Sequence, residues 1–281
     1  MMPLAPTGVD IVVAQYQERL LWLPSAVSNL RFCKMRARVF IYTKNNSTTE
    51  VSLQNVPVVT VRLRNVGREA HTYIYHMLTV TDAADVTVYM QATPHTANLS
   101  PAQFVFAVTQ QALRYGLSVN TVVKVQRRRL EAYNDFRYPA TDRHRPAPMS
   151  RMNVTLGQWL HGMAVSSWCA QLHADGRRVP FYAGANFAVH SSLRLPKAFL
   201  QSALVALQGH CNPELGHYIE RLWFWLFYHA RNVEQAHTWK ELGTLFADQR
   251  RDGVPARILE GCAVRGQTCW CRPLFSMRKS L

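Results

Sequence analysis

The stretch Val58–Gln91, VVTVRLRNVGREAHTYIYHMLTVTDAADVTVYMQ, decides the fold class. Val58–Leu63 (VVTVRL) is rich in β-branched residues and reads as a strand. Asn65-Val66-Gly67 interrupts it as a loop. From Arg68 to Thr79 the apolar residues Ala70, Tyr73, Ile74 and Met77 recur at helical spacing, which predicts a helix. Val86–Met90 (VTVYM) is an unbroken apolar run, the pattern of a strand covered on both faces. Upstream, Asp10–Ala14 (DIVVA) and Arg38–Tyr42 (RVFIY) read as two further strands, the second followed by the turn Lys44-Asn45-Asn46-Ser47. Arg19–Leu23, ending at Pro24, starts another element. This alternation predicts an α/β fold, with a mainly parallel sheet flanked by helices. Ligands of such sheets sit outside the carboxyl ends of the strands, where the strand order switches.

Downstream, Pro101–Tyr115 and Pro196–Leu207 read as helices and Phe181–Val189 as a strand. Pro213–Ala230 is the most regular helix, with Leu215, Tyr218, Ile219, Leu222 and Leu226 in one stripe. Pro213 suits its first turn and Glu214 complements its dipole. Between these elements, Glu131–Arg151 is polar and carries Pro139, Pro146 and Pro148 among arginines. It reads as a long mobile loop of the kind that serves as a lid. Past Arg231 the patterning fades, so 232–281 reads as a C-terminal extension to a single domain over 1–231.

The chain has 281 residues, of which 48% are hydrophobic, enough for one large core and too many for a disordered protein. Its formal charge of +15 favours polyanionic partners. The densest basic run, Lys124–Arg129, reads first as a solvated helix face and second as a phosphate or membrane contact. Six scattered cysteines fit reduced thiols, and the C-terminal three lack zinc-site spacing. No apolar run reaches the roughly 18–20 residues needed to cross a bilayer. Met1–Asp10 lacks the form of a signal peptide, so a soluble, cytoplasmic protein is expected. No P-loop or kinase motif is present.

Four segments carry candidate chemistry. In Arg62-Leu63-Arg64-Asn65-Val66-Gly67-Arg68-Glu69, two arginines leave one side of a strand end and a glycine loop opens a helix. Helix N-termini attract anions, Gly67 permits close approach, and Arg62, Arg64 and Arg68 suit bidentate phosphate contacts. The same segment fits a surface turn with solvated arginines equally well. In Gln91-Ala92-Thr93-Pro94-His95, the period-2 spacing of Gln91, Thr93 and His95 turns three polar groups to one side of a strand end. His95 suits a metal or a phosphate, or is a plain loop histidine. Gly184–Val189 (GANFAV) permits close approach of a ligand or of another backbone. Glu220 precedes Trp223, Phe224 and Phe227 on the regular helix. A carboxylate on an aromatic face is either ion-paired or tuned by desolvation toward a general base.

Asn65–His76 (NVGREAHTYIYH) resembles the signature of a domain family of unknown function with an NVGREAHTY-type segment. Val12–Leu23, Asp85–His95, Gly184–Ser191 and Glu220–Phe227 are similar to further segments of that family, in the same order. The family in turn resembles the GT-A glycosyltransferases. That resemblance implies a GT-A-like, Rossmann-like domain with a nucleotide-binding half over 1–95 and an acceptor half over 96–231. It implies transfer of a sugar, with inversion, from a nucleotide-sugar donor to a glycan or other hydroxyl acceptor. Asn65, Gly67 and the arginines would hold the nucleotide or diphosphate, Gln91 and Thr93 would line the diphosphate site, and Asn186 would orient donor or acceptor. Glu220 would be the base. The acidic D-x-D of GT-A enzymes is missing at Gln91–His95, which leaves His95 as the ligand for Mn²⁺ or Mg²⁺, or leaves the arginines to neutralise the diphosphate without a metal. The rival from another class is a basic binding module on the same fold, directed at nucleic acid or an anionic membrane surface. Nucleic acid is not the expected partner, because the aromatics are not interleaved with the cations.

Overall fold

A computed structural model describes residues 6–45, 51–94, 96, 99–119, 126–129, 178–181, 185–211 and 213–232. The sequence-predicted loop 131–151 and the extension beyond residue 232 lie outside them. The chain runs β1 (Gly8–Gln15), α1 (Leu23–Phe32), β2 (Arg36–Thr43), β3 (Val58–Arg62), α2 (Arg68–Thr79), β4 (Val86–Gln91) and α3 (Pro101–Tyr115). It continues with β5 (Leu117–Val119), β6 (Gln126–Arg129), β7 (Arg178–Phe181), β8 (Phe187–His190), α4 (Lys197–Leu207) and α5 (Glu214–Asn232).

Six strands form one sheet in the order β3-β2-β1-β4-β8-β5. The first four are parallel, and β8 pairs antiparallel with both β4 and β5. This is a mixed α/β fold with a Rossmann-like sheet, in which the strand order reverses between β1 and β4. Alternation along the strands feeds two cores. Val9, Ile11, Val13, Val39 and Val88 face α1 and α3. Val12, Phe40, Tyr42, Tyr89 and Phe187 face α2, α4 and α5. Phe187 stacks on Tyr89 and on Trp223, with ring centroids 4.7 and 5.1 Å apart, and so ties α5 to the sheet.

The helix boundaries follow local chemistry. Ser100 and Gln103 form a reciprocal capping box at the start of α3, and Gly116 ends it in the left-handed conformation. Pro24 lies in the first turn of α1, so it opens a helix and does not end an element. The basic run read as a helix face is a strand over Gln126–Arg129, paired antiparallel with Arg178–Phe181. Pairing consumes backbone donors that a helix would satisfy internally, and the neighbouring strand supplies the acceptors. The expected strand Phe181–Val189 is likewise two pieces, with Phe181 in β7 and Phe187–Val189 in β8 of the main sheet. Among the described residues no helix is long and apolar enough to cross a membrane.

Candidate functional site

The turn before α2 is built around two consecutive left-handed residues. Gly67 has φ 64° and Arg68 has φ 50°, a conformation that is strained for a side chain with a Cβ. Three contacts hold it. The Gly67 amide donates to His210 O at 2.9 Å. Lys44 Nζ, just past β2, donates to the carbonyl oxygens of Val66 and Arg68. The Gly67 position has no room for a side chain, because a Cβ there would lie 2.5 Å from His71 Cβ and 2.9 Å from Leu207 Cβ.

From this turn a polar chain runs across the carboxyl ends of the sheet. Arg68 Nε lies 3.4 Å from Glu69 Oε2. Gln91 Nε2, at the last residue of β4, donates to Glu69 Oε1 at 2.6 Å. The Gln91 amide donates to Asn186 Oδ1 at 2.8 Å, which extends the β4–β8 ladder by one side-chain bond. On the other side Arg68 Nη1 lies 2.6 Å from Nδ1 and 2.8 Å from Nε2 of His217. His217 is fully buried in the first turns of α5, and its Nδ1 is 4.0 Å from Glu220 Oε2 one turn on. Only one of the two ring nitrogens can accept from the guanidinium, and which one depends on the tautomer.

The charges are nearly balanced. Burial pushes the Glu69 carboxyl up, but Arg68, the bond from Gln91, its own backbone amide and Lys44 hold it below its ordinary value. Burial and Arg68 lower the Lys44 ammonium to about 8, against the pull of Glu69. Burial, helped by Lys44 and Arg64, lowers His71 to about 4. Burial and then Glu69 and Glu220 raise the Tyr73 phenol well above its usual value, so Tyr73 lies within electrostatic reach of both carboxylates. Among the described residues, the buried Tyr73 Oη, Trp223 Nε1, Asn186 Nδ2, His71 Nδ1 and Thr72 Oγ1 meet no partner. Buried polar groups of this kind normally find a partner.

The structure therefore brings together Gly67, Arg68, Gln91, Asn186 and Glu220 of the residues singled out from sequence. Arg62, Arg64 and Asn65 are exposed on the approach to the turn. Thr93 is also exposed, in a bend beyond the strand end, so it does not share a buried face with Gln91. Pairing stops at Gln91, and the period-2 alternation stops with it. His95 and Gly184 lie outside the described residues. Trp223 and Phe227 are buried on the core side of α5, while Glu220 keeps 15% side-chain exposure. The α2 N-terminus, expected to attract a ligand anion, already has a carboxylate beside it, that of Glu69 in its first turn. Sequence reading missed Lys44, Glu69 and His217. The i,i+3 spacing of His217 and Glu220 on one helix face was the signal for the last.

His95, the metal ligand expected from sequence, lies outside the described residues. Gln91 offers an amide, the nearest carboxylate is engaged by Arg68 and Gln91, and no group of three His, Cys, Asp or Glu converges among the described residues. Set against models of known protein families and against curated proteins, the chain matches none.

Proposed function

We propose that the chain is a GT-A-like glycosyltransferase, a member of the NVGREAHTY-type family that its motifs resemble, with its active site on the Arg68–Glu69–Gln91–Asn186–His217–Glu220 cluster. The observation that carries the reading is the placement of Glu220. Its carboxylate, partly open to solvent, stands beside a buried histidine and an arginine at the carboxyl ends of a Rossmann-like sheet.

In this reading the acceptor hydroxyl loses its proton to Glu220 as its oxygen bonds to the anomeric carbon. The bond from that carbon to the diphosphate oxygen breaks, and the electron pair leaves with the nucleoside diphosphate, inverting the centre. Because Glu69 already neutralises the α2 N-terminus, the diphosphate contacts fall to Arg62 and Arg64, which stabilise the leaving charge. Gln91 and Asn186 fix the strand ends against which the donor lies.

The test is a thermal-shift screen against uridine- and guanosine-diphosphate sugars, followed by a transfer assay. A donor at a hundred times its Kd stabilises by about 2.7 kcal/mol. Glu220→Gln should keep that shift and lose transfer. Full turnover in E220Q removes Glu220 as base, and no shift with any donor removes the reading. The charge of +15 favours a second reading, a basic module that binds polyanions without catalysis. Tight, steeply salt-dependent binding of nucleic acid, with no donor shift, would select it.

A further inference from the structure

At the opposite, amino edge of the sheet lies a cleft of about 630 Å³, within the size range of small-molecule sites. It is lined by the starts of β1 and β2, the end of α1 and the segments before β3 and β4. Its floor is a hydrogen-bonded network. Asp10 is fully buried and accepts from Arg38 Nε at 2.8 Å, Arg38 Nη2 at 2.9 Å and the Ala84 amide at 3.0 Å. Arg38 Nη1 also reaches Asp82 at 2.6 Å, and Asp85 accepts from the Gly8 amide at 2.7 Å.

The acids of the cleft thus have internal donors, but two of its cations do not have matching acceptors. Arg31 donates once, from Nη1 to Gln54 O at 2.9 Å. Arg36 is exposed, and its guanidinium donates to no acceptor among the described residues. A guanidinium carries five N–H donors in a fork shaped for carboxylate or phosphate. Beside these two arginines the lining turns apolar, with Met35, Val56 and Pro57.

We propose that this cleft is a second ligand site, distinct from the cluster at the carboxyl ends, for a small organic anion. Arg36 and Arg31 take its carboxylate or phosphate, and Met35, Val56 and Pro57 take its apolar body. The Asp10–Arg38–Asp82 network holds the floor in place and keeps Arg38 occupied by two carboxylates, so the anion falls to Arg31 and Arg36.

The experiment is calorimetric titration of the full chain with phenyl phosphate, phenylacetate and inorganic phosphate, for the wild type and for Arg36→Glu and Arg31→Glu. Both arginines are exposed, so the charge reversals leave the core intact, and circular dichroism checks this. Saturable binding of at least one phenyl compound is expected, several-fold tighter than inorganic phosphate. Whichever phenyl compound binds tighter identifies phosphate or carboxylate as the head group. R36E should weaken it at least about tenfold, the loss of a charge-assisted contact, and R31E should weaken it in the same direction. Absence of saturable binding overturns the proposal. So does unchanged affinity in R36E, or inorganic phosphate binding as tightly as both phenyl compounds.

Discussion

Replacing Gly67 by alanine tests the architecture of the turn that opens the candidate site. The new Cβ would meet His71 Cβ at 2.5 Å, Leu207 Cβ at 2.9 Å and Leu207 O at 3.0 Å, and all three are fixed by the α2 and α4 backbones. Holding alanine at φ 64° costs about 1–2 kcal/mol, and overpacking of this kind costs about 1–3 kcal/mol. Together they give a loss of roughly 2–5 kcal/mol. For a chain of this size each kcal/mol moves the melting temperature by about 2–4 °C, so a loss near 3 kcal/mol lowers it by about 6–12 °C. Differential scanning calorimetry of G67A measures this, with Gly209→Ala as control. Gly209 is exposed, shows no positive φ, and has nothing within 4 Å of its notional Cβ. The control should change stability by less than about 1 kcal/mol. If G67A melts with the wild type, the turn is not wedged between α2 and α4 as described, and the placement of Arg68 loses its support.

Other consequences concern charge. Asp10→Asn should cost about 1–3 kcal/mol in urea unfolding, because it removes a charge-assisted pair at a fully buried position and leaves Arg38 only its exposed contact with Asp82; no measurable loss would show that the pair is not structural. His76, buried and held near 4 by desolvation, stays neutral in the fold but protonates near 6.5 when unfolded. Stability should therefore fall as pH drops from about 6.5 to 4, by up to about 3 kcal/mol for this residue, and the fall should shrink in His76→Gln. Lys44 is lowered to about 8 from an unfolded value of 10.5, so the unfolded chain holds the extra proton between those values. Wild type should gain stability relative to Lys44→Met as pH rises from about 8 toward 10, and a constant difference over that window would show that the ammonium is not desolvated.

The parallel half of the sheet was readable because β1 to β4 and α2 come from contiguous segments whose apolar periods are unambiguous. Val86–Met90 could only be a covered strand, and Ala70, Tyr73, Ile74 and Met77 only a helix face. What escaped depended on partners far away in the chain. Pro24 looks like a terminator unless the helix after it is known, and Leu117–Val119 is too short to show a period. Four of the positions singled out, Arg68, Gln91, Asn186 and Glu220, lie along one polar chain, linked through Glu69 and His217. Its electrostatics were not legible. Glu69 was in plain view in the motif, but its occupation of the α2 N-terminus rests on a bond from Gln91 and a contact from Arg68 that no spacing rule supplies. Lys44 reaches the turn from another strand altogether.

The mixed pairing of β8 has a consequence for the order in which the molecule is made. Residues 8–91 leave the ribosome before β8 and α5 and contain every strand of the parallel half. Asn186, His217 and Glu220 follow about a hundred residues or more later, and the cluster closes only when β8 docks against β4 and Phe187 enters its stack with Trp223. Contacts of such long sequence separation form slowly. A nascent or truncated chain can thus present half a sheet, with one side of β4 unpaired and open to association, well before it possesses any of the chemistry assigned to the finished protein.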